Sequence, residues 1–201
     1  VDHLANAIEE QWQQNPKLTF DDALNIEFRN FGIFGFMDVV EKRQGALTRK
    51  YSKLVFKELK TFFSIPKIIM TLSAVGLVFY SLRSFQESFL IMKTVFILSM
   101  LVCFVGLWML SRKIKRSNEQ TGKKWLFKEI IFGYGSFTGL INLPIQIALH
   151  LDGEVYPGWS LLLLSFLLTV LILLEYIVLI LIPSKAEEYL QATYPEYEMA
   201  K

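Results

Sequence analysis

The chain has 201 residues, 53% of them hydrophobic and 20% charged, with 21 basic and 19 acidic side chains. This near balance of charge identifies no partner by itself, and the single cysteine, Cys103, excludes an internal disulfide. The apolar residues are grouped into long runs rather than scattered at helical spacing, which disfavours an ordinary soluble domain. An all-α, polytopic membrane protein is therefore predicted.

Three helices are predicted before the first long apolar run. The first covers residues 2–14 and ends at Asn15-Pro16, because the residue before a proline avoids helical geometry. The second begins after Thr19, a suitable N-cap with Asp22 three residues further on. Val1 is not a methionine and stands close to a helical pattern, so we expect further residues to precede it.

The third helix is predicted to start near Gly35, after Gly32 has capped the second. It is amphipathic and carries basic residues opposite its apolar stripe, among them Lys53, Lys57 and Lys60. Two interpretations follow. The basic face contacts anionic lipid headgroups, where each lysine contributes about 1 kcal/mol, or it binds an acidic protein partner. Direct nucleic-acid binding is not expected, because no recognition motif accompanies the charge.

The first quarter of the chain resembles a known helical module. Its features are the acidic first helix, the segment Asp21-Asp22-Ala23-Leu24 and the Phe31-Gly32 turn. Together they resemble the module of the HAAS-type membrane proteins, which are often encoded beside PadR-like transcriptional regulators. The chain also resembles uncharacterised four-span membrane proteins of Bacteroidetes type. The resemblance implies a regulatory, non-enzymatic membrane protein.

Four segments are long and apolar enough to cross a hydrocarbon core about 30 Å thick, which takes roughly 20 helical residues. These predicted spans are residues 65–82, 89–110, 130–149 and 159–182. They predict a four-helix transmembrane bundle over residues 65–184. The remaining parts are an N-terminal helical region, residues 1–64, and a C-terminal tail, residues 185–201.

Basic residues in the loops predict the orientation of the spans. The loops after the first and third spans carry none within 84–88 and 150–158, whereas the region before the first span is basic. The connection between the second and third spans is also basic, with Arg112, Lys113, Lys115, Arg116, Lys123 and Lys124. Both termini are therefore predicted to be cytoplasmic, with the chain in the inner membrane.

Glu175 is an acidic residue well inside a predicted span. An ionisable group at that depth is costly and indicates either a functional role, as a proton relay or counter-ion, or a structural one, protonated or paired with a neighbouring helix. Tyr134, Ser136 or an inner lysine such as Lys128 is the predicted partner in the structural interpretation.

The third predicted span contains small and polar residues. Gly135 and Gly139 form a Gly-x-x-x-Gly pattern that favours close helix packing, within the bundle or in a homo-oligomer. Asn142, Pro144 and Gln146 predict a bend with polar groups, a geometry that is also used for substrate sites.

The sequence contains no familiar catalytic or phosphate-binding motif, and His150, Asp152 and Glu154 are a weak metal signal. No enzyme activity, metal or cofactor is expected. Two functions are hypothesised: a regulatory or scaffolding membrane protein whose cytoplasmic helices contact a protein partner, and a small transporter or channel subunit that uses Glu175 and the Asn142–Pro144 bend.

Overall fold

The computed structural model describes residues 2–30, 32–84, 88–133, 157–195 and 197, together with the single positions 142, 146, 147, 149 and 150. Over these residues the chain is helical and contains no β-strand. It divides into two units, Val1–Ala46 and Leu47–Lys201. The all-α prediction is confirmed for the part that the structure describes.

The first unit holds helix α1 (Asp2–Gln14), helix α2 (Phe20–Asn30) and the beginning of helix α3 (Gly32–Phe62). Helices α1 and α2 pack together, and both Ile8 and Ala23 are buried. The Gln11 side chain donates a hydrogen bond to Glu27 Oε1 at 2.9 Å. The bounds predicted for the first helix are confirmed.

The N-terminus of α2 has the predicted cap. The Asp22 backbone N–H donates to Thr19 Oγ1 at 3.2 Å, and the Thr19 hydroxyl donates to Asp22 Oδ2 at 2.7 Å. The prediction that Gly32 caps α2 and that the next helix starts near Gly35 is wrong, because α3 begins at Gly32 itself. A glycine indicates a helix boundary, but the next helix can begin at the glycine itself or after it.

Among its described residues, the second unit contains three helices that are long and apolar enough to cross a membrane, by length and composition. They are α4 (Lys67–Ser84), α5 (Ser88–Thr121) and, after α6 (described below), α7 (Gly158–Ser184). They correspond to the predicted spans 65–82, 89–110 and 159–182. Many of their apolar side chains are exposed, including Leu77, Phe104 and Met109. An exposed apolar surface of this extent is typical of helices that face hydrocarbon.

Helix α5 is longer than the span predicted within it. Its 34 residues extend about 50 Å at 1.5 Å per residue, whereas the hydrocarbon core is about 30 Å thick. Its last turns are the basic stretch that the sequence places in a loop. The connection after the second span therefore begins as a continuation of the same helix.

Of the predicted span 130–149, the structure describes its first residues and a few later positions. Helix α6 (Leu126–Phe132) contains its start, and Phe127, Ile130 and Ile131 are buried. Gly133 closes α6, and a Cβ atom there would clash with the Glu129 carbonyl oxygen, so a larger residue does not fit without a shift of the backbone. Gly135, Gly139 and Pro144 lie outside the described residues.

The core of the second unit forms where α4 and α5 pack against α7. Phe96 and Cys103 of α5 and Ile177 of α7 are fully buried there. The Thr71 hydroxyl at the start of α4 donates to the Phe62 carbonyl at 2.9 Å, which ties α4 to the end of α3. The buried Thr71 hydroxyl thus has its hydrogen-bond partner within the protein.

The short helix α8 (Ala186–Gln191) follows α7 directly and packs against α6. The C-terminal tail therefore begins with a helix. The second half of α3, the end of α5, the start of α6 and the residues from the end of α7 onward are joined by side-chain contacts. We call this the basic end, defined by residues 47–62, 111–132, 183–195 and 197.

Candidate functional site

Glu175 lies in α7 with only 6% of its surface exposed. The same face of α7 carries Ser165, Leu168 and Leu171, which are also buried. The carboxyl group therefore points into the packed interior of the three helices rather than toward their exposed apolar surface. An acid placed in this way needs a polar partner on a neighbouring helix.

That partner is Ser99 of α5, whose hydroxyl donates a hydrogen bond to Glu175 Oε1. Ser99 is 7% exposed and stands one helical turn from Phe96 on one side and Cys103 on the other, both fully buried. The pair is thus a polar contact between two helices within an apolar environment. Such contacts fix the rotation of one span against another.

Ser99 was not among the predicted partners of Glu175. The prediction of Lys128 is wrong, because the Lys128 ammonium group donates to Ser117 Oγ at 2.8 Å. Tyr134 and Ser136 lie outside the described residues. The sequence signal for Ser99 is its position, as a hydroxyl near the middle of an apolar run.

The helix widens immediately after Glu175 into a π-helical turn, Ile177–Leu181. The Ile182 N–H donates to the Ile177 carbonyl, five residues back. Pro183 follows directly, and a proline inside a helix clashes with the carbonyl four residues earlier, here that of Leu179. A wider turn relieves that clash, and π turns occur frequently at functional sites.

The structure does not bring the other predicted polar residues to Glu175. Asn142 and Gln146 are both exposed, and the Gln146 amide donates to Asn142 Oδ1 at 3.5 Å. His150 contacts the Gln146 carbonyl at 2.7 Å. Asp152 and Glu154 lie outside the described residues, and no group of three or more potential metal ligands occurs among the residues that the structure does describe.

The predicted basic residues are exposed at the basic end. On α3, Lys53, Lys57 and Lys60 line a shallow surface depression with Phe56 and Ser64. Six further exposed residues come from α5 and the loop after it: Arg112, Lys113, Lys115, Arg116, Lys123 and Lys124. The Arg112 guanidinium lies 3.6 Å from the Trp108 ring centroid. An arginine stacked on a tryptophan is typical of a helix passing through a membrane interface.

The C-terminal segment holds the basic end together. Lys185 forms a salt bridge with Glu58 of α3 at 2.8 Å, and the Tyr189 hydroxyl donates to the same Glu58 oxygen at 3.2 Å. Lys50 donates to Thr193 Oγ1 at 2.8 Å. Residues that follow the last span are thereby bonded to the helix that precedes the first span.

Aromatic rings extend this contact to the connection between α5 and α6. The Trp125 ring centroid lies 4.9 Å from that of Tyr194 and 5.3 Å from that of Tyr197. The Phe127 N–H donates to the Tyr194 hydroxyl at 3.2 Å.

No family model, curated protein or solved structure matches this chain. Conclusions about its function rest on these contacts and on the sequence.

We call Glu58, Lys185 and Tyr189 the Glu58 cluster. The pKa values of all three side chains are shifted. The hydrogen bond from Lys185 lowers the pKa of Glu58, and the same bond raises the pKa of Lys185. Burial is the main cause that raises the pKa of Tyr189, with the Glu58 charge adding to it. All three groups therefore keep their usual protonation states near neutral pH. The sequence did not predict this cluster, because Lys185 and Tyr189 lie 127 and 131 residues from Glu58 along the chain.

Proposed function

We propose that this chain is a four-span inner-membrane protein with both termini in the cytoplasm, in which residues 130–149 form the further crossing. The observation that carries this is the joining of the second half of α3, the α5–α6 connection and the C-terminal segment at the basic end. If three segments of a chain lie on the same side of a membrane, the chain must cross the membrane an even number of times between any two of them. Their lysines and arginines favour the cytoplasmic side.

The path of α7 supports the further crossing. It is 27 residues long, about 40 Å at 1.5 Å per residue, and it ends at Ser184 beside the basic end. Helix α6 also lies at the basic end. The chain that connects α6 to the start of α7 therefore has to pass from the basic end to the opposite end of α7. This connection supplies the further crossing of the membrane.

The sidedness is tested by cysteine-accessibility labelling of intact cells, starting from Cys103→Ser. A cysteine at Lys57, Lys115 or Lys123 is expected to react only after the membrane is permeabilised. A cysteine at Asp152, in the predicted outer loop, is the matched position and is expected to react in intact cells. External labelling of Lys115 or Lys123 positions would contradict the proposed topology.

The role that fits these features best is a non-enzymatic regulatory or scaffolding one, in which the N-terminal helical region, residues 1–64, contacts a protein partner. The resemblance of the first quarter to the HAAS-type module supports it and stays a prediction. Apolar side chains exposed on the first unit also support it, among them Met37 and Val40 on α3, with 57% and 43% of their surfaces exposed. An exposed apolar patch on a water-facing helix suits a protein contact.

The test of this role is cross-linking of the full chain in cells, followed by identification of the linked proteins. We expect one protein to be enriched with the native chain and lost with Met37→Gln/Val40→Gln. Glu41→Gln, on the same helix, is the matched control and should retain it. If the same proteins are linked to the native and the double variant alike, this contact is refuted.

A transporter or channel subunit is the second candidate, and the buried Glu175–Ser99 contact beside a π turn is the observation that favours it. Reconstituted liposomes with a pH-sensitive dye inside test it. A proton flux that Glu175→Gln abolishes and Glu187→Gln leaves intact would favour this candidate. Equal leak with the native chain and with Glu175→Gln would refute it.

A further inference from the structure

A polar cavity of about 360 Å³ lies at the basic end, between α5, α6 and the segment that follows α7. Lys113, Lys128 and the hydroxyls of Ser117 and Ser184 give it polar groups, and Phe132 and Leu190 give it apolar walls. Glu187 is its acidic residue, so the two lysines leave one formal positive charge in excess. The cavity suits an anion that also carries apolar groups.

An apolar groove of about 660 Å³ runs along the outer side of α5 against the end of α7. Its walls include Leu101, Val105, Leu179 and Ile180, and the Leu179 side chain covers Gly106. From Leu101 to the Lys113 end it is about 18 Å long at 1.5 Å per residue. One leaflet of hydrocarbon is about 15 Å thick, so the groove has the length of an acyl chain.

Lys113 lines both the polar cavity and the apolar groove. Its ammonium group lies 5.4 Å from the Phe132 ring centroid, and the Lys128 ammonium lies 2.8 Å from Ser117 Oγ. We propose that the cavity and groove together bind one anionic phospholipid, with its phosphate at Lys113 and Lys128 and an acyl chain in the groove beside Val105 and Leu179. This rests on the proposed membrane placement, which puts the basic end at headgroup level.

Two features select this ligand over related ones. The excess of positive charge favours a lipid with net negative charge over a zwitterionic one, because basic pockets between spans on the cytoplasmic side bind anionic headgroups. The continuous apolar groove favours a lipid over free phosphate, because the acyl chain of a lipid occupies the groove and a small anion does not. Burial of apolar surface adds to the affinity of the lipid alone.

Native mass spectrometry of the full chain in detergent tests the proposal, with phosphatidylglycerol and phosphatidylcholine added separately after delipidation. The native chain is expected to bind phosphatidylglycerol about tenfold better than phosphatidylcholine. Lys113→Gln/Lys128→Gln should abolish that preference, since each lysine near an anionic headgroup contributes roughly a fivefold factor, and the two together, about 25-fold, exceed it. Lys113→Arg keeps the charge and should retain the preference.

The matched control is Lys123→Gln/Lys124→Gln, which removes two exposed charges at the same end outside the cavity and should bind like the native chain. Val105→Trp fills the groove without changing charge and should lower phosphatidylglycerol binding. Unchanged binding by the Lys113/Lys128 double variant would overturn the proposal, as would equally effective competition by glycerol phosphate. Lipid binding in detergent does not depend on which side of the membrane the basic end faces. A negative result in the lipid-binding test is therefore distinct from a negative result in the cysteine-labelling test of topology.

Discussion

The Ser99 hydroxyl of α5 donates a hydrogen bond to the Glu175 carboxyl group of α7, joining two of the long apolar helices through their buried faces. Around this contact the packing is apolar, with Phe96 and Cys103 fully buried. The two residues are 76 positions apart in the chain. The contact therefore reports directly on how the spans are assembled.

Ser99→Ala is expected to destabilise the protein by about 1 to 3 kcal/mol, because it leaves a buried carboxyl group without its partner. The measurement is thermal unfolding in detergent. Ser165→Ala is the control, since the buried Ser165 hydroxyl donates to the Leu161 carbonyl of its own helix. Ser99→Ala combined with Glu175→Leu should recover much of the loss, and a double variant as unstable as Ser99→Ala would contradict the pairing.

Breaking the Glu58–Lys185 pair is expected to cost about 0.5 to 1 kcal/mol, a modest value because the Lys185 side chain is 40% exposed. The measurement is a double-mutant cycle of Glu58→Gln and Lys185→Met by thermal unfolding. Lys42→Met, which removes an exposed pair with Asp38, is the control and should cost less. A coupling energy of zero would show that the pair contributes nothing to stability.

The contribution of this pair depends on pH in a defined direction. The pKa of Glu58 is lowered from 4.5 in the folded protein, so its contribution is full above 4.5 and is lost as the pH falls through the lower folded value. The pKa of Lys185 is raised from 10.5, so its contribution is lost as the pH rises above that value. The difference in unfolding temperature between the native and Glu58→Gln chains should be constant from about pH 6 to about pH 9 and should shrink outside that range.

Gly106 permits close packing of α5 on the π turn of α7. A Cβ atom there would lie 2.7 Å from Leu179 Cδ1, the end of a flexible side chain. Gly106→Ala should therefore be tolerated at small cost, whereas Gly106→Ile should destabilise by about 1 to 3 kcal/mol through overpacking. Adding Leu179→Ala to Gly106→Ile should restore part of the loss in unfolding temperature. Absence of any rescue would place the clash elsewhere.

Tyr194 links the C-terminal segment to the start of α6. Tyr194→Phe removes the hydrogen bond from the Phe127 N–H and should cost about 0.5 to 1.5 kcal/mol, while it keeps the ring against Trp125. Tyr194→Ala also removes the ring and should cost more, about 2 to 4 kcal/mol. Thermal unfolding in detergent measures both. Equal losses for the two variants would mean that the ring contact contributes nothing.

Local patterns gave the helices of this chain with good accuracy. The Asn15-Pro16 break and the Thr19 cap act within a few residues, and the structure has both. The end of α5 and the side of Gly32 on which α3 begins were predicted less well. Both depend on which of two compatible local conformations the rest of the protein stabilises, and local signals do not distinguish them.

That α4, α5 and α7 are long and apolar enough to cross a membrane was determined by the sequence alone, because a run of about 20 apolar residues matches the thickness of a hydrocarbon core whatever it packs against. The partner of Glu175, the bonding of Glu58 to Lys185 and Tyr189, and the sharing of Lys113 between cavity and groove were decided only by the tertiary structure. Those contacts join residues far apart in the chain, and their geometry follows from how the helices rotate and pack, which no local pattern encodes.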